Sequence, residues 1–164
     1  MDVLEAIKGR RSIRKYREDP VPQEKVDKIL EAAIWAPSAH NSQPWEFIVL
    51  RNEELKRKVA EVLPYGRFLH QAPLGIVVLV DPERSTHPPE DGATATQNIL
   101  LASHFLGLGS CWIAPHDGKV KHILGIPEEK MVLSVISIGY PDESPKVGRK
   151  DLGSITFYDR YGSH

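Results

Sequence analysis

The chain has 164 residues, of which 41% are hydrophobic and 26% charged, and its formal net charge is −1. This length suits a single domain over residues 1–164, and the ordinary composition excludes a disordered or fibrous protein. The balanced charge argues against a dedicated nucleic-acid binder, which usually carries a basic excess.

The predicted elements are helices and strands in irregular order along the chain. In chain order they are a helix at 2–9, a helix at 22–36, a strand at 45–51, a helix at 53–63, a strand at 74–81, a helix at 92–106, a strand at 110–114, a helix at 116–124 and a strand at 131–139. The helices carry apolar side chains on one face, and the strands are rich in β-branched and aromatic residues. Asn52 and Asp91 are suitable N-caps for the third and fourth helices.

This order of elements favours an α+β fold, in which helices cover a sheet. A Rossmann domain would show strict alternation of strand and helix, and no GxGxxG motif follows a predicted strand here. The run at 74–81 is apolar on both faces, so we expect it in the centre of the sheet.

The single cysteine, Cys111, cannot form a disulfide within the chain, and no CxxC pair is present. The amino terminus includes Asp2 and Glu5 and lacks a long apolar run, so we expect no signal peptide. The longest strongly apolar stretch, 74–80, is too short to span a bilayer. We therefore expect a cytoplasmic protein without a membrane partner.

Residues 10–17, RRSIRKYR, form a segment in which five of eight side chains are cationic. The planar fork of arginine matches phosphate oxygens, and Ser12 adds a neutral hydrogen-bond donor. The segment thus predicts a site for a phosphate monoester. Two other interpretations stay open: cations that favour a helix macrodipole, and a solvated or RNA-binding basic face.

Residues 36–45, APSAHNSQPW, form a polar loop between a predicted helix and a predicted strand. Its serine, asparagine and glutamine side chains offer donors and acceptors without charge, which suits the edge of a neutral heterocycle. An ordinary turn is the other interpretation, because proline, serine and asparagine are normal turn residues.

The segment after the last predicted strand is also cationic. The sequence IGYP at 138–141 is followed by Lys146, Arg149 and Lys150. These side chains either complete a phosphate site begun by Arg10 and Arg14 or form a solvated charge run.

Four segments resemble the motifs of the nitroreductase family in order and spacing: RRSIRKY, APSAHNSQPWEF, GLGSCWI and the basic segment after IGYP. The similarity covers nearly the whole chain, and the first two motifs are the specific ones. The resemblance implies a central, mainly antiparallel sheet flanked by helices, in an intertwined homodimer with FMN at the interface. Larger members carry an inserted helical segment over the flavin, and its lack here implies an open substrate pocket.

The resemblance also implies which residues of this chain contact FMN. Those at the phosphate and ribityl end are Arg10, Ser12 and Arg14, with Arg11 in support, and Arg149 and Lys150 from the tail. Those that line the ring from the other subunit are Pro37, Ser38, Ala39 and Asn41, while the backbone around Trp112 and Ile113 lies near flavin N5.

The family chemistry implies an oxidoreductase with NAD(P)H as co-substrate. Its hydride passes to flavin N5, and a small nitroaromatic, quinone or flavin acceptor then takes the same place, in a ping-pong mechanism. No side chain needs to act as nucleophile or base, so we name no catalytic residue. Two alternatives stay open: a non-catalytic FMN storage or sensing protein, and a specialised reductive dehalogenase-like member.

The seven histidines predict no metal site, because none shows HExxH or comparable ligand spacing. Cys111 has no identifiable activating base, so we expect a buried apolar role for it. Tryptophans are usually core residues, and we expect this of Trp35, Trp45 and Trp112. Of the three, Trp112 is the best placed to lie near a flavin.

Overall fold

The computed structural model describes residues 1–163 and contains, within them, five α-helices and four strands. The helices are α1 (Val3–Gly9), α2 (Gln23–Ile34), α3 (Glu53–Val62), α4 (Pro88–Phe105) and α5 (Asp117–Leu124), and the strands are β1 (Trp45–Leu50), β2 (Leu74–Val80), β3 (Gly109–Ile113) and β4 (Met131–Gly139). Each of the nine predicted elements is therefore present, in the predicted order.

The four strands form one sheet in the order β1-β2-β4-β3, and every neighbouring pair is antiparallel. β2 lies between β1 and β4, and all seven of its residues are buried. A strand with helices on both of its faces has no solvent side, which is why its sequence is apolar throughout. The structure confirms the predicted α+β fold with its antiparallel sheet and the central place of β2.

Helices cover both faces of the sheet, and each face has its own core. The first core joins α2 and α4 to the sheet residues Leu74, Ile76, Val78, Ile136 and Ile138. The second joins α3 and α5 to Val77, Leu79, Val132 and Val135. Side chains alternate between the two faces along each strand, so β2 and β4 contribute to both cores.

The amino-terminal end of α4 differs from the prediction. The helix begins at Pro88 rather than at residue 92, because Pro88 and Pro89 occupy the first turn, where a missing N–H costs no hydrogen bond. The prediction that Asp91 caps this helix is wrong. Asp91 lies inside the first turn, and its buried carboxylate accepts a hydrogen bond from another segment. Asn52 does cap α3, since its side chain accepts the Leu55 amide at 2.9 Å.

The tryptophans separate into buried and exposed residues. Trp45 is buried, but Trp35 is 79% exposed, so the core prediction is wrong for Trp35. Trp35 follows the last residue of α2, where the helix ends in solvent. Trp112 is also wrong as a core residue, because 39% of it is exposed. Cys111 is buried, as predicted.

Residues 1–163 contain neither a membrane-spanning helix nor a cluster of metal ligands. No helix in this range is both long and apolar enough to cross a bilayer. No three His, Cys, Asp or Glu side chains of the same range come together in a way that could hold a metal ion. His164, one of the seven histidines, lies outside the described residues.

Candidate functional site

The cationic segment 10–17 begins where α1 ends and is extended rather than helical. Ser12 forms a parallel bridge with Ser110 of β3, and the Ile13 amide donates to the Ser110 carbonyl at 3.0 Å. Farther along, Tyr16 forms an antiparallel bridge with Pro141, just after β4. The segment therefore runs along the edge of the sheet, and most of its cations lie beyond the influence of the α1 dipole.

Ile13 anchors this segment against the sheet, where it is buried beside Tyr16 and Phe68. Gly109 makes the close approach possible, since a Cβ there would lie 2.7 Å from Ile13 Cγ1. The Tyr16 hydroxyl donates to the Ile13 carbonyl and lies 2.7 Å from Ser137 Oγ. Burial raises the pKa of Tyr16, although the Ser137 hydrogen bond acts in the opposite direction, so this hydroxyl stays protonated.

Glu143 fixes the same segment from the other side, although it is 129 residues from Arg14 in the chain. Its Oε1 accepts the backbone amides of Arg14 at 2.5 Å and Lys15 at 3.2 Å. The Arg14 guanidinium is left for other contacts, and its Cζ lies 5.8 Å from the centroid of the Phe68 ring. Backbone contacts thus hold the segment, and Arg11 adds to them, since its Nη1 donates to the carbonyls of Lys8 at 2.6 Å and Arg10 at 2.8 Å.

Four arginines surround a cavity of about 250 Å³, which we call the arginine pocket. Its lining consists of Arg10, Arg11, Ser12, Arg14, Pro145, Val147 and Arg149. No carboxylate belongs to this lining, and within residues 1–163 the arginine ion pairs involve other residues, Arg17 and Arg57. Four arginines therefore line one cavity, and none of them forms an ion pair within the described residues.

The positive charges that line the arginine pocket repel one another, and this favours the binding of an anion. Burial lowers the pKa of the Arg10 guanidinium, and the charge of Arg149 lowers it further. Arginine stays protonated in spite of both effects. Burial and the charge of Arg149 therefore mean that it costs free energy to keep these positive charges together and partly out of water. An anion with several oxygens would offset this cost through charge-assisted hydrogen bonds.

The tail contributes Arg149 to the arginine pocket but not Lys150. Arg149 lines the cavity, and its Nη1 also donates to the Gly148 carbonyl at 2.9 Å. Lys150 is exposed and does not belong to the lining. The structure thus brings together the cationic segment 10–17 and the basic segment after IGYP, with Arg149 as the link.

The loop of Pro37, Ser38, Ala39 and Asn41 lies elsewhere in the molecule. The Ala39 amide donates to Asp91, in the first turn of α4. Arg10 and Arg11, in contrast, line a small cavity with His104, in the last turn of α4. His104 comes thirteen positions after Asp91 in the helix, which corresponds to roughly 20 Å along the axis. One chain does not bring the loop and the arginine pocket together.

Trp112 and Ile113 occupy the end of β3 and differ in exposure. Ile113 is 3% exposed as a whole residue, and its side chain belongs to the core under α3 and α5. Trp112 is 39% exposed. The neighbouring Cys111 thiol is buried, and burial raises its pKa, which leaves it in the unreactive protonated form.

Three residues that position the site could not be identified from the sequence: Gly109, Phe68 and Glu143. Gly109 stands inside the GLGSCWI motif, but the pattern does not show that its missing side chain makes room for Ile13. Phe68 and Glu143 reach the cationic segment only through the fold, and no local pattern marks them.

The chain is similar to known proteins in family, in sequence and in structure. The family model described as "Nitroreductase family" matches residues 7–66 and 62–140. A protein of Methanothermobacter thermautotrophicus, whose name includes NADH dehydrogenase/NAD(P)H nitroreductase, is 48% identical over 160 residues, which cover 93% of this chain and 83% of that protein.

Two solved structures extend the similarity to the fold. The FMN-dependent nitroreductase of Clostridium difficile R20291 has a TM-score of 0.92 at 36% identity, covering 97% of this chain and 100% of that one. A structure from Desulfovibrio desulfuricans, solved in complex with FMN, has a TM-score of 0.88 at 32% identity and covers 98% of both chains.

Proposed function

The chain belongs to the nitroreductase family, and from this premise we propose that it is an FMN-dependent oxidoreductase that moves hydride from NAD(P)H to a small acceptor. The arginine pocket is the observation that carries the proposal. Four guanidinium groups surround about 250 Å³ and lack acidic partners within the described residues. A phosphate monoester such as that of FMN is the anion such a set of forks suits best.

FMN, when bound, would supply hydride chemistry between NAD(P)H and a small acceptor such as a nitroaromatic, a quinone or a flavin, in ping-pong turnover. The protein binds and orients the cofactor. In this proposal Arg10, Ser12 and Arg14 hold the phosphate and ribityl end, Arg11 supports them, and Arg149 closes the pocket from the tail. Lys150 adds a second tail cation near the phosphate.

The end of β3 offers a surface for the flavin ring. In this proposal the ring approaches the end of β3, where Trp112 is 39% exposed and would offer a flat apolar surface and Ile113 would contribute its backbone. We assign no catalytic side chain, because the Cys111 thiol and the Tyr16 hydroxyl are buried and both are kept protonated. Position and electrostatics are the protein's contribution.

A homodimer completes the site in this proposal. The loop of Pro37, Ser38, Ala39 and Asn41 lies near the far end of α4 from the arginine pocket, so a second subunit would supply it to the ring. Apolar side chains left exposed by the single chain support this assembly. They include Val3, Leu4, Ile7 and Phe105 around α1 and α4, and Leu152, Ile155, Tyr158 and Tyr161 in the tail. Val3 and Phe105 line one apolar groove, and a contiguous exposed apolar surface is typical of an interface.

An absorbance spectrum of the purified protein tests the cofactor assignment. We expect flavin bands, and release of FMN on heating at about one molecule per subunit. A colourless protein that also fails to bind added FMN would overturn the proposal. Sedimentation of the loaded protein tests the assembly, because a stable monomer with tightly bound FMN would contradict a shared site.

Steady-state oxidation of NAD(P)H separates an enzyme from a storage or sensing protein. We expect consumption to depend on an added quinone or nitroaromatic, with parallel lines in double-reciprocal plots as ping-pong kinetics require. Stoichiometric FMN without acceptor-dependent turnover would favour a storage or sensing role instead.

A further inference from the structure

The loop at 37–43 holds three non-glycine residues in the left-handed region of backbone space. The φ angles are 53° at His40, 54° at Asn41 and 48° at Gln43. Side-chain sterics disfavour this region for L-residues, least so for asparagine and histidine. Such a conformation persists only where the surroundings determine it, and it clusters at ligand clamps and active sites.

Asp91 is the residue that most clearly determines this loop. Its carboxylate is 4% exposed, and Oδ1 accepts the Ala39 amide at 2.9 Å. Oδ2 accepts the Ser85 hydroxyl at 2.5 Å and is 3.4 Å from the Ser42 hydroxyl. These hydrogen bonds, together with the dipole of α4, offset the cost of burying the charge in the first turn of that helix.

The same face of α4 makes two further contacts, one with the loop and one with α2. The Thr94 hydroxyl lies 2.9 Å from the Pro37 carbonyl and 2.7 Å from the Asp91 carbonyl of its own helix, and Asn98 Nδ2 donates to the Ala32 carbonyl at 2.9 Å. Residues at i, i+3 and i+7 share one helix face, so Asp91, Thr94 and Asn98 form a continuous row. Asp91 and Thr94 contact backbone atoms of the loop, and Asn98 contacts the last turn of α2.

We propose that Asp91 and Thr94 are positioning residues that hold the 37–41 loop in the shape required to contact the flavin ring of the partner subunit. The inference rests on the proposed function. Neither residue touches the cofactor in this arrangement; each acts through the loop backbone. A loop already held in its bound shape loses less conformational freedom on binding, which is how such contacts raise affinity.

The test compares Asp91→Asn and Thr94→Val with the matched control Asp117→Asn. Asp117 is also a first-turn carboxylate that accepts a backbone amide, that of Val132 at 2.9 Å, but it belongs to α5. FMN affinity of the apoprotein, followed by flavin fluorescence, should fall about tenfold in Asp91→Asn, as expected for one lost hydrogen bond to a charged group. Thr94→Val removes an uncharged hydroxyl that contacts the Pro37 and Asp91 carbonyls, and it serves if Asp91→Asn does not fold.

Two readouts separate positioning from general destabilisation. The control variant should lose thermal stability but keep the wild-type FMN affinity. Amide exchange in the apoprotein should speed up at Ala39 in Asp91→Asn and stay unchanged there in Asp117→Asn. Folded Asp91→Asn and Thr94→Val proteins with wild-type affinity would overturn this inference and leave the proposed function standing. A wild-type protein that binds no FMN would instead overturn the proposed function, and this inference with it.

Discussion

Arg10 is the side chain whose removal tests the arginine pocket most directly. It lines the cavity with Ser12, and its charged form is disfavoured by burial and by Arg149. Arg10→Ala should weaken FMN binding by roughly 10- to 100-fold, because a hydrogen bond between charged groups contributes about 1.5–3 kcal/mol. Titration of the apoprotein with FMN measures the change.

Arg57→Ala is the matched control, since Arg57 pairs with Glu61 on the exposed surface of α3. Exposed ion pairs of this kind contribute little to stability, so the control should keep both its fold and its FMN affinity. Full FMN occupancy in Arg10→Ala at limiting FMN would contradict the phosphate assignment.

Cys111 gives a second residue-scale prediction, which concerns pH. Burial raises the pKa of this thiol, so the folded state resists ionisation more than the unfolded state does. The stability that this contributes is present below the unfolded thiol pKa of about 8.5 and is lost as the pH rises above it. Urea unfolding at pH 7 and pH 9.5 should therefore show a larger alkaline loss for the wild type than for Cys111→Ala.

Alkylation supplies an independent check on Cys111. The native thiol is 3% exposed and should react slowly with iodoacetamide, with fast reaction only after unfolding. Rapid modification of the native protein, or equal alkaline losses in the two proteins, would show that the thiol is more accessible to solvent than its packing implies.

At the scale of elements, the contact of β3 with the cationic segment depends on Gly109. A Cβ at this position would lie 2.7, 2.8 and 2.9 Å from Ile13 Cγ1, Cβ and Cγ2. A β-branched side chain cannot swing away from its own Cβ, so Gly109→Ala must push the segment off the strand. We expect a loss of about 1–3 kcal/mol in the free energy of unfolding, together with weaker FMN binding.

Gly118 provides the control, because a Cβ there would have no atom within 4 Å and the residue lies in α5. Gly118→Ala should preserve FMN affinity and leave stability equal or higher, since alanine restricts the unfolded chain. Urea unfolding and FMN titration of both variants measure the two effects. Unchanged FMN affinity in Gly109→Ala would show that Ile13 does not set the position of the arginines.

The elements themselves follow closely from local sequence, and their arrangement does not. β4 spans the predicted residues 131–139, because a short run of apolar, partly β-branched residues bounded by turn residues is typical of a buried strand. The start of α4 was missed because two prolines usually indicate a loop, yet the first helical turn accepts them. The strand order β1-β2-β4-β3 depends on long-range packing, which no local pattern encodes.

Some residues of the candidate site can likewise be predicted from the sequence, and the place of others depends on the fold. The chemistry of Arg10, Ser12 and Arg14 can be predicted from residue type, because guanidinium forks suit phosphate whatever the fold. The arrival of Arg149 at the same cavity depends on the path of the tail after β4. The role of Asp91 could not be predicted from its spacing, which indicated a helix cap, because its partners Ala39 and Ser85 come from two separate loops.

At the scale of the whole molecule, the arginine pocket and the 37–41 loop lie near opposite ends of α4, separated by roughly 20 Å. If two subunits share each flavin, a pocket defect on one chain and a loop defect on the other chain fall in the same site, and the other site of the dimer is intact. A mixed dimer can therefore show whether the site is shared, provided that each parent variant folds.

Coexpression of an Arg10→Ala chain and an Asp91→Asn chain, with different affinity tags, yields that mixed dimer. In a shared arrangement, one site combines the intact Arg10 of one subunit with the intact loop of the other, while the second site carries both defects. Titration should then show one FMN per dimer bound with wild-type affinity, although both parent homodimers bind weakly. Sites built within single chains would give two weakened sites and none of wild-type affinity, because each chain would carry one defect of its own.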